Sequence, residues 1–300
     1  MYRAPVIPAK KDQTFVLTFR LNLRRLAAAA AVLAFAVACP AGGHAQQAKL
    51  EARYVASLAG IPVGRGAWVL DIRDDQYSAD ASGATTGLLR VFASGKGRSK
   101  TEGDVANGQL LPRRYGTTIV ADKKTEEVAM ALDGGTVTEF TVNPPPNPDP
   151  NRVPLTEAHR RAVTDPMTAS LVRVSGDGDP LSADACTRST PIFDGRLRYD
   201  LKMAFKRMET VKAEKGYQGR VVVCAIYFSP VAGYIPGRKV IEYLTGLRDM
   251  EVWLAPVIGT RVLVPYKVSI PTPLGVAVLE ATQFVSSAAP GPTSASAKIP

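Results

Sequence analysis

Alternation of apolar and polar positions dominates this chain and predicts strands. In "KLEARYVASL", Leu50, Ala52, Tyr54, Ala56 and Leu58 share one face, with Lys49, Glu51 and Arg53 opposite. "WVLDIR" sets Trp68, Leu70 and Ile72 against Asp71 and Arg73. "RLRYDLKMAFK" aligns Leu197, Tyr199, Leu201, Met203 and Phe205, and "RVLVPYKVSI" aligns Val262, Val264, Tyr266, Val268 and Ile270. A period of two with one polar face marks an antiparallel strand wetted on one side. Turn formers separate the runs at Asp74-Asp75, Asp122-Lys123-Lys124, Asp133-Gly134-Gly135 and Lys215-Gly216. Hairpins in succession predict a mainly β chain, an up-and-down antiparallel sheet curled into an open barrel that hides its edges.

One stretch departs from the pattern. In "GRVVVCAIYF", Val221, Val223, Ala225 and Tyr227 alternate with Val222, Cys224, Ile226 and Phe228, so both faces are apolar. Such a strand is covered on both sides, which a sheet wrapped around one or two short helices achieves. "TEAHRRAV" is one candidate helix. "TDPMTASLVRV" is the other, with Asp165 as N-cap and Pro166 at the first helical position. "NPPPNPDPNRVP", residues 143–154, reads as a polyproline-like connector. No repeat of 20–50 residues is present in the sequence.

The ends of the chain set its compartment. Arg20, Arg24 and Arg25 precede an apolar run from Leu26 to Ala38, the arrangement of a secretory leader and too short for a stable transmembrane span. Cleavage after Ala45 is expected, with lipidation at Cys39 the lesser alternative. The expected organisation is a signal peptide over 1–45, one β-rich periplasmic domain over 46–285, and a disordered tail over 286–300. The formal charge is +10; the leader holds six basic residues and one acidic, so the remainder carries +5. That is weak support for nucleic acid as a partner, and no basic helix or aromatic platform accompanies it. "KGRSK", Lys96 to Lys100, reads as a solvated basic loop.

Export leaves Cys186 and Cys224, an even count in an oxidising compartment, and a disulfide is expected. A zinc set has only His159 to draw on after the leader, and C-x-x-C spacing is absent. "SGDGDPLSAD" offers Asp177, Asp179 and Asp184 without the terminal glutamate of an EF-hand loop, and reads as a turn. The sequence has no G-x-S-x-G, P-loop or H-E-x-x-H motif. No catalytic residue, metal or cofactor is expected; a hydrolase built on His159 stands last.

The apolar and aromatic positions Tyr199, Met203, Phe205, Phe228, Tyr234 and Trp253 are candidate ligand-binding residues. A curled sheet either fills its interior or leaves an apolar pocket. Tyr234 belongs to "SPVAGYIPGR", a loop that could form a lip at the mouth. The expected role is a non-catalytic periplasmic protein supporting the cell envelope, holding a lipid, a lipoprotein or another apolar ligand. The alternative is a solid-core module that binds envelope protein partners.

These segments also resemble a known family. "YVASLAGIPVGRG" carries Tyr54, Leu58, Gly60, Gly64 and Gly66; "GQLLPRRY" carries Gly108, Leu111, Pro112 and Tyr115; "DPMTASL", "IFDGRLRYDL" and "CAIYFSPVAGY" follow. Together they are similar to the domain of unknown function 3108 family, in the version found in exported alphaproteobacterial proteins. The resemblance spans Leu50 to Val285. It implies an envelope protein of curled antiparallel sheet, distantly like periplasmic lipoprotein carriers, and brings no catalytic residues.

Overall fold

The computed structural model describes residues 47–86, 95–122 and 124–288. The leader with Cys39 and Ala45, Lys123 of the expected turn, and residues 289–300 of the expected tail lie outside them.

Before the proline-rich connector run seven strands: β1 (Ala48–Leu58), β2 (Ile61–Ile72), β3 (Gln76–Thr85), β4 (Gly95–Ala106), β5 (Gln109–Ala121), β6 (Lys124–Asp133) and β7 (Thr136–Asn143). Each pairs antiparallel with the next. Three of the turns have consecutive residues at positive φ, Ala59-Gly60, Asn107-Gly108 and Gly134-Gly135, the signature of a primed hairpin turn that matches strand twist. The expected turns at Asp74-Asp75 and Asp133-Gly134-Gly135 separate strands as predicted.

After the connector come a 3-10 turn (Glu157–Arg160), α1 (Pro166–Ala169), β8 (Val172–Arg173), a 3-10 turn (Ala183–Cys186), β9 (Ser189–Phe193), β10 (Arg198–Lys212), β11 (Lys215–Gly216), β12 (Gln218–Ala232), α2 (Lys239–Gly246), β13 (Met250–Pro256), β14 (Val262–Thr272) and β15 (Gly275–Ala288). The sheet order is β7-β6-β5-β4-β3-β2-β1-β15-β14-β13-β12-β10-β9. The first and last strands therefore meet in its middle. All pairings between these strands are antiparallel except β11 on β15. β15 runs three residues past the expected boundary at 285.

The sheet curls but does not close, since β7 and β9 end it. Other contacts stitch those edges. The Phe140 and Phe193 rings meet edge-on at 5.4 Å. Val163 donates its N–H to the Gly135 carbonyl at 2.9 Å, and Thr164 pairs with Ile192 in a parallel bridge. This covers backbone that a free edge would expose.

Side chains fill the inside. Leu50, Tyr54, Trp68, Leu70, Tyr77, Met130, Trp253, Tyr266 and Phe284 form one core, with Met167 and Leu171 of the α1 region packed among them. So the sheet wraps one helical turn, started as expected by Asp165. The other expectation is corrected: within "TEAHRRAV" only Glu157–Arg160 turn, as a 3-10 turn with no buried residue, and Val163 beyond it enters the core. The amphipathic "KVIEYLTG" forms α2, which alternation left unpredicted and which also buries nothing.

The doubly apolar strand is covered as expected. Val221 and Val223 enter the main core. Val222 and Cys224 enter a second cluster with Val172, Val174, Ala185, Cys186, Val252, Leu254 and Leu263. The segment from β8 to Cys186 is the outer coat. Cys186 and Cys224 form a disulfide with Cα atoms 5.5 Å apart, tying coat to strand.

Candidate functional site

Register assigns each strand two faces, and in the first half only one is filled. Tyr54, Trp68, Ala79, Thr101, Tyr115 and Met130 belong to the inner face. The opposite face carries the row Arg53, Ala67, Ser82, Arg98, Thr118 and Glu127, each residue paired with the next. Beside it runs the row Val55, Arg65, Ala84, Lys96 and Val120. These rows line a groove of about 1240 Å³. Its cations are Arg53, Arg65, Lys96, Arg98 and Lys100, against the carboxylates Glu127 and Glu214. Lys100 pairs with Glu102 at 3.2 Å. Among the described residues the other four cations have no ion-pair partner. The lining between them is small, with Gly66, Gly83, Gly97, Gly116, Ala67, Ala84 and Ala129. A Cβ at Gly66 would stand 3.0 Å from the Ser82 carbonyl, so close strand approach keeps that position bare.

The groove corrects the reading of "KGRSK". These residues are the start of β4, not a loop. Their charged-small alternation is itself a period of two: Lys96, Arg98 and Lys100 face the groove side, and Gly97 and Ser99 face inward. At the same end of the strands two neighbouring hairpin tips, joined by the Ala59 N–H to Val276 carbonyl bond, expose Ile61 (63%) and Leu274 (77%).

The six candidate ligand residues do not share one cavity. The Tyr199 and Phe228 rings meet at 5.4 Å, tilted by 43°. Met203 packs on the outer cluster around Cys224. Phe205 is 42% exposed beside a bulge between Phe205 and Arg207. Tyr234 gives its backbone to the connector: its carbonyl accepts from Val153 at 2.9 Å, so the loop clasps "NPPPNPDPNRVP". Trp253 is enclosed by charges. Its indole N–H donates to Glu209 at 2.7 Å, with Arg207 and Lys267 5.5 and 5.1 Å from the ring centre. Arg207 also forks onto both oxygens of Glu251, Lys206 pairs with Glu251, and Lys267 pairs with Glu280 at 3.1 Å. The indole and then the Arg207 guanidinium hold the Glu209 carboxyl below its ordinary range; Arg207, then Lys206, do the same for Glu251.

A second bulge explains Lys267. Trp253 pairs with Lys267 but Leu254 with Pro265. That shift breaks the expected alternation of β14, sending Val268 to the outer cluster and Lys267 to Trp253.

Inside the barrel Asp165 is fully buried. It accepts from Met167 N at 2.9 Å, Thr168 N at 3.0 Å, Thr168 Oγ1 at 2.5 Å and Thr101 Oγ1 at 3.1 Å. Tyr77 completes the set through Thr168 Oγ1 at 2.7 Å. Burial pushes the Asp165 carboxyl up, against these bonds, and burial pushes the nearby Tyr115 phenol up to about 12. Every Asp165 bond is local capping or strand anchoring, which is a structural task. His159 accepts the Thr156 N–H at 3.2 Å within its own turn. Asp179 likewise accepts the Leu181 N–H at 2.9 Å.

No curated protein sequence matches the chain. Among solved structures it is similar to one described as a beta-barrel-like protein of domain of unknown function DUF1849 from Brucella abortus. The identity is 9%, the TM-score is 0.45, and the match covers 81% of this chain and 98% of that one. The signposts that carried the resemblance have structural places here. Gly60 and Gly108 form turns at positive φ, Tyr54 donates to the Pro265 carbonyl at 2.7 Å, and Asp165 caps the inner helix. The family model described as "Protein of unknown function (DUF3108)" matches residues 53–282, and the chain belongs to that family.

Proposed function

We propose that this protein is a non-catalytic component of the cell envelope that holds an anionic amphiphile, a lipid or the lipid-bearing end of a lipoprotein, in its outer groove. The observation that carries this reading is the groove itself: four cations with no ion-pair partner among the described residues, around a lining of small residues, on a sheet whose other face is filled. The filled interior argues against an enclosed acyl pocket and moves binding to the surface. Cations spaced along a groove attract a headgroup and raise its local concentration, while the alanines, Val55 and Val120 supply apolar contact. The exposed Ile61 and Leu274 at the same end offer further apolar surface. A periplasmic setting is supported by the leader-like start and by the disulfide.

The test is mass spectrometry of the organic extract from protein purified from its native periplasm, against Arg65→Glu/Arg98→Glu. A stoichiometric anionic lipid on the parent, lost from the variant, supports the reading. A clean extract, together with no binding to anionic vesicles, overturns it. The second reading, a solid-core module for protein partners, rests on the filled barrel and the clasped connector. Crosslinking that captures an envelope protein through residues 143–154 supports it.

A further inference from the structure

On the far side of the barrel wall from the groove face, α1, β8, β9 and the start of β5 line a half-open cavity of about 200 Å³. Its polar lining includes Thr164, Thr168, Arg173, Arg188 and Thr190; no carboxylate is among its lining residues. Arg173 is held in place from behind: Nε donates to the Gly108 carbonyl at 2.6 Å and Nη1 to the Val174 carbonyl at 3.1 Å. Arg188 is different. Its Nε donates to Thr190 Oγ1 at 3.1 Å, and among the described residues no acid pairs with it. Burial pushes both guanidinium groups down. Thr164 Oγ1 is buried and has no hydrogen-bond partner among the described residues.

Asp165, next in sequence to Thr164, does not supply the missing charge. Its oxygens are taken by Met167, Thr168 and Thr101. A partly buried guanidinium with no acid, beside an orphaned hydroxyl, is costly to keep unless something outside the chain completes it. The backbone around Arg188 is also fixed. Cys186, two residues before it, is bonded to Cys224, and the Arg188 carbonyl accepts from the Met203 N–H at 2.8 Å.

We propose that this cavity binds a tetrahedral oxyanion, inorganic phosphate or a terminal phosphate monoester, between Arg173 and Arg188. The N–H groups that Arg173 and Arg188 have left over from their bonds within the chain are charge-assisted donors for the oxygens of such an anion. The Thr164 hydroxyl supplies a further donor. The volume admits a phosphate group. The site is separate from the groove, and neither reading depends on the other.

The experiment is a titration of the purified protein with inorganic phosphate at constant ionic strength, read by Tm and by the Arg188 Nε–H resonance. The expected result is a saturable rise in Tm and a shift of that resonance. Arg188→Gln and Thr164→Val weaken the apparent affinity, the former by about tenfold or more, while Lys202→Gln, at an exposed strand position outside both the groove and the cavity, leaves it unchanged. Glycerol phosphate acting as well as phosphate identifies a monoester ligand; phosphate alone acting identifies the free ion. Equal responses from the parent and Arg188→Gln, or an unmoved Arg188 resonance in the parent, overturn the proposal. The resonance decides the matter if a variant fails to fold. Loss of response in Arg98→Gln alone also overturns it, and places the anion in the groove instead.

Discussion

The strands before the connector and those after it are built on the same alternation, yet they differ in what covers them. In the first half, one face packs and the other carries Arg53, Arg65, Lys96 and Arg98 to solvent. In the second half, β12 and β13 bury both faces, because Val222, Cys224, Val252 and Leu254 meet the coat of Val172, Val174, Ala185 and Cys186. Covering a face fixes it. A face left bare, with small residues and unpaired cations, is free to meet a ligand. Packing on both faces thus belongs to the second half of the sheet, and a bare, charged face to the first.

The largest effects belong to the coated half. Leu254→Ala removes a fully buried side chain from the outer cluster and is expected to cost about 2–5 kcal/mol by chemical denaturation. A loss below ~1 kcal/mol would mean that the coat is loose, and the contrast between the halves would fall. Cys186→Ala/Cys224→Ala opens a loop closed across a sequence separation of 38. A stability loss of about 4 kcal/mol is expected in the chain-entropy view, less if the unfolded chain stays compact.

Next comes Asp165, which joins α1 to the first half through Thr101. Asp165→Ala removes the cap and takes one partner from each of two buried threonine hydroxyls, which keep Arg114, Tyr77 and each other; about 2–3 kcal/mol is expected. Its pH signature has a definite sign. Burial raises the folded carboxyl above its unfolded value, so the folded state binds the proton more tightly. That contribution is present below the unfolded pKa and is lost as pH rises through the folded one. Asp165→Asn keeps an acceptor for the backbone cap but has no proton to lose, so it should lack this decline. Denaturation of both proteins across a pH series is the check. The parent should lose stability relative to Asp165→Asn as pH rises; a parent that gains instead would reverse the sign.

The smallest effects fall on the bare half. Arg98→Glu should change stability by no more than about 0.5 kcal/mol, as expected for an exposed strand position without a partner. Its effect should appear in binding to anionic vesicles. A large loss of stability in Arg98→Glu, measured by the same denaturation, would show that the groove face is structural after all.

Much of this was legible along the chain. Period-two patterning marked β1, β2, β10 and β14, and the doubly apolar Val221–Phe228 run announced a covered strand. The Asp165-Pro166 pair marked the inner helix. The groove was not legible, because it is assembled from residues on neighbouring strands whose register no single segment reveals. "KGRSK" looks like a solvated run until β3 and β5 align Arg98 with Ser82 and Thr118. The bulges were hidden for the same reason. Nothing local distinguishes Lys267 or Phe205 from its neighbours; the pairing partner sets where the extra residue goes.

Local chemistry along the chain settles the class of the protein: β, meandering, with a capped turn inside and two cysteines to tie it. Side-chain periodicity and turn preference act over a few residues, so a single segment is enough to show them. Which face stays bare, which arginines go without acids, and whether the interior is filled are settled only when distant strands come together. Burial and charge pairing are properties of that meeting, and no one segment carries them.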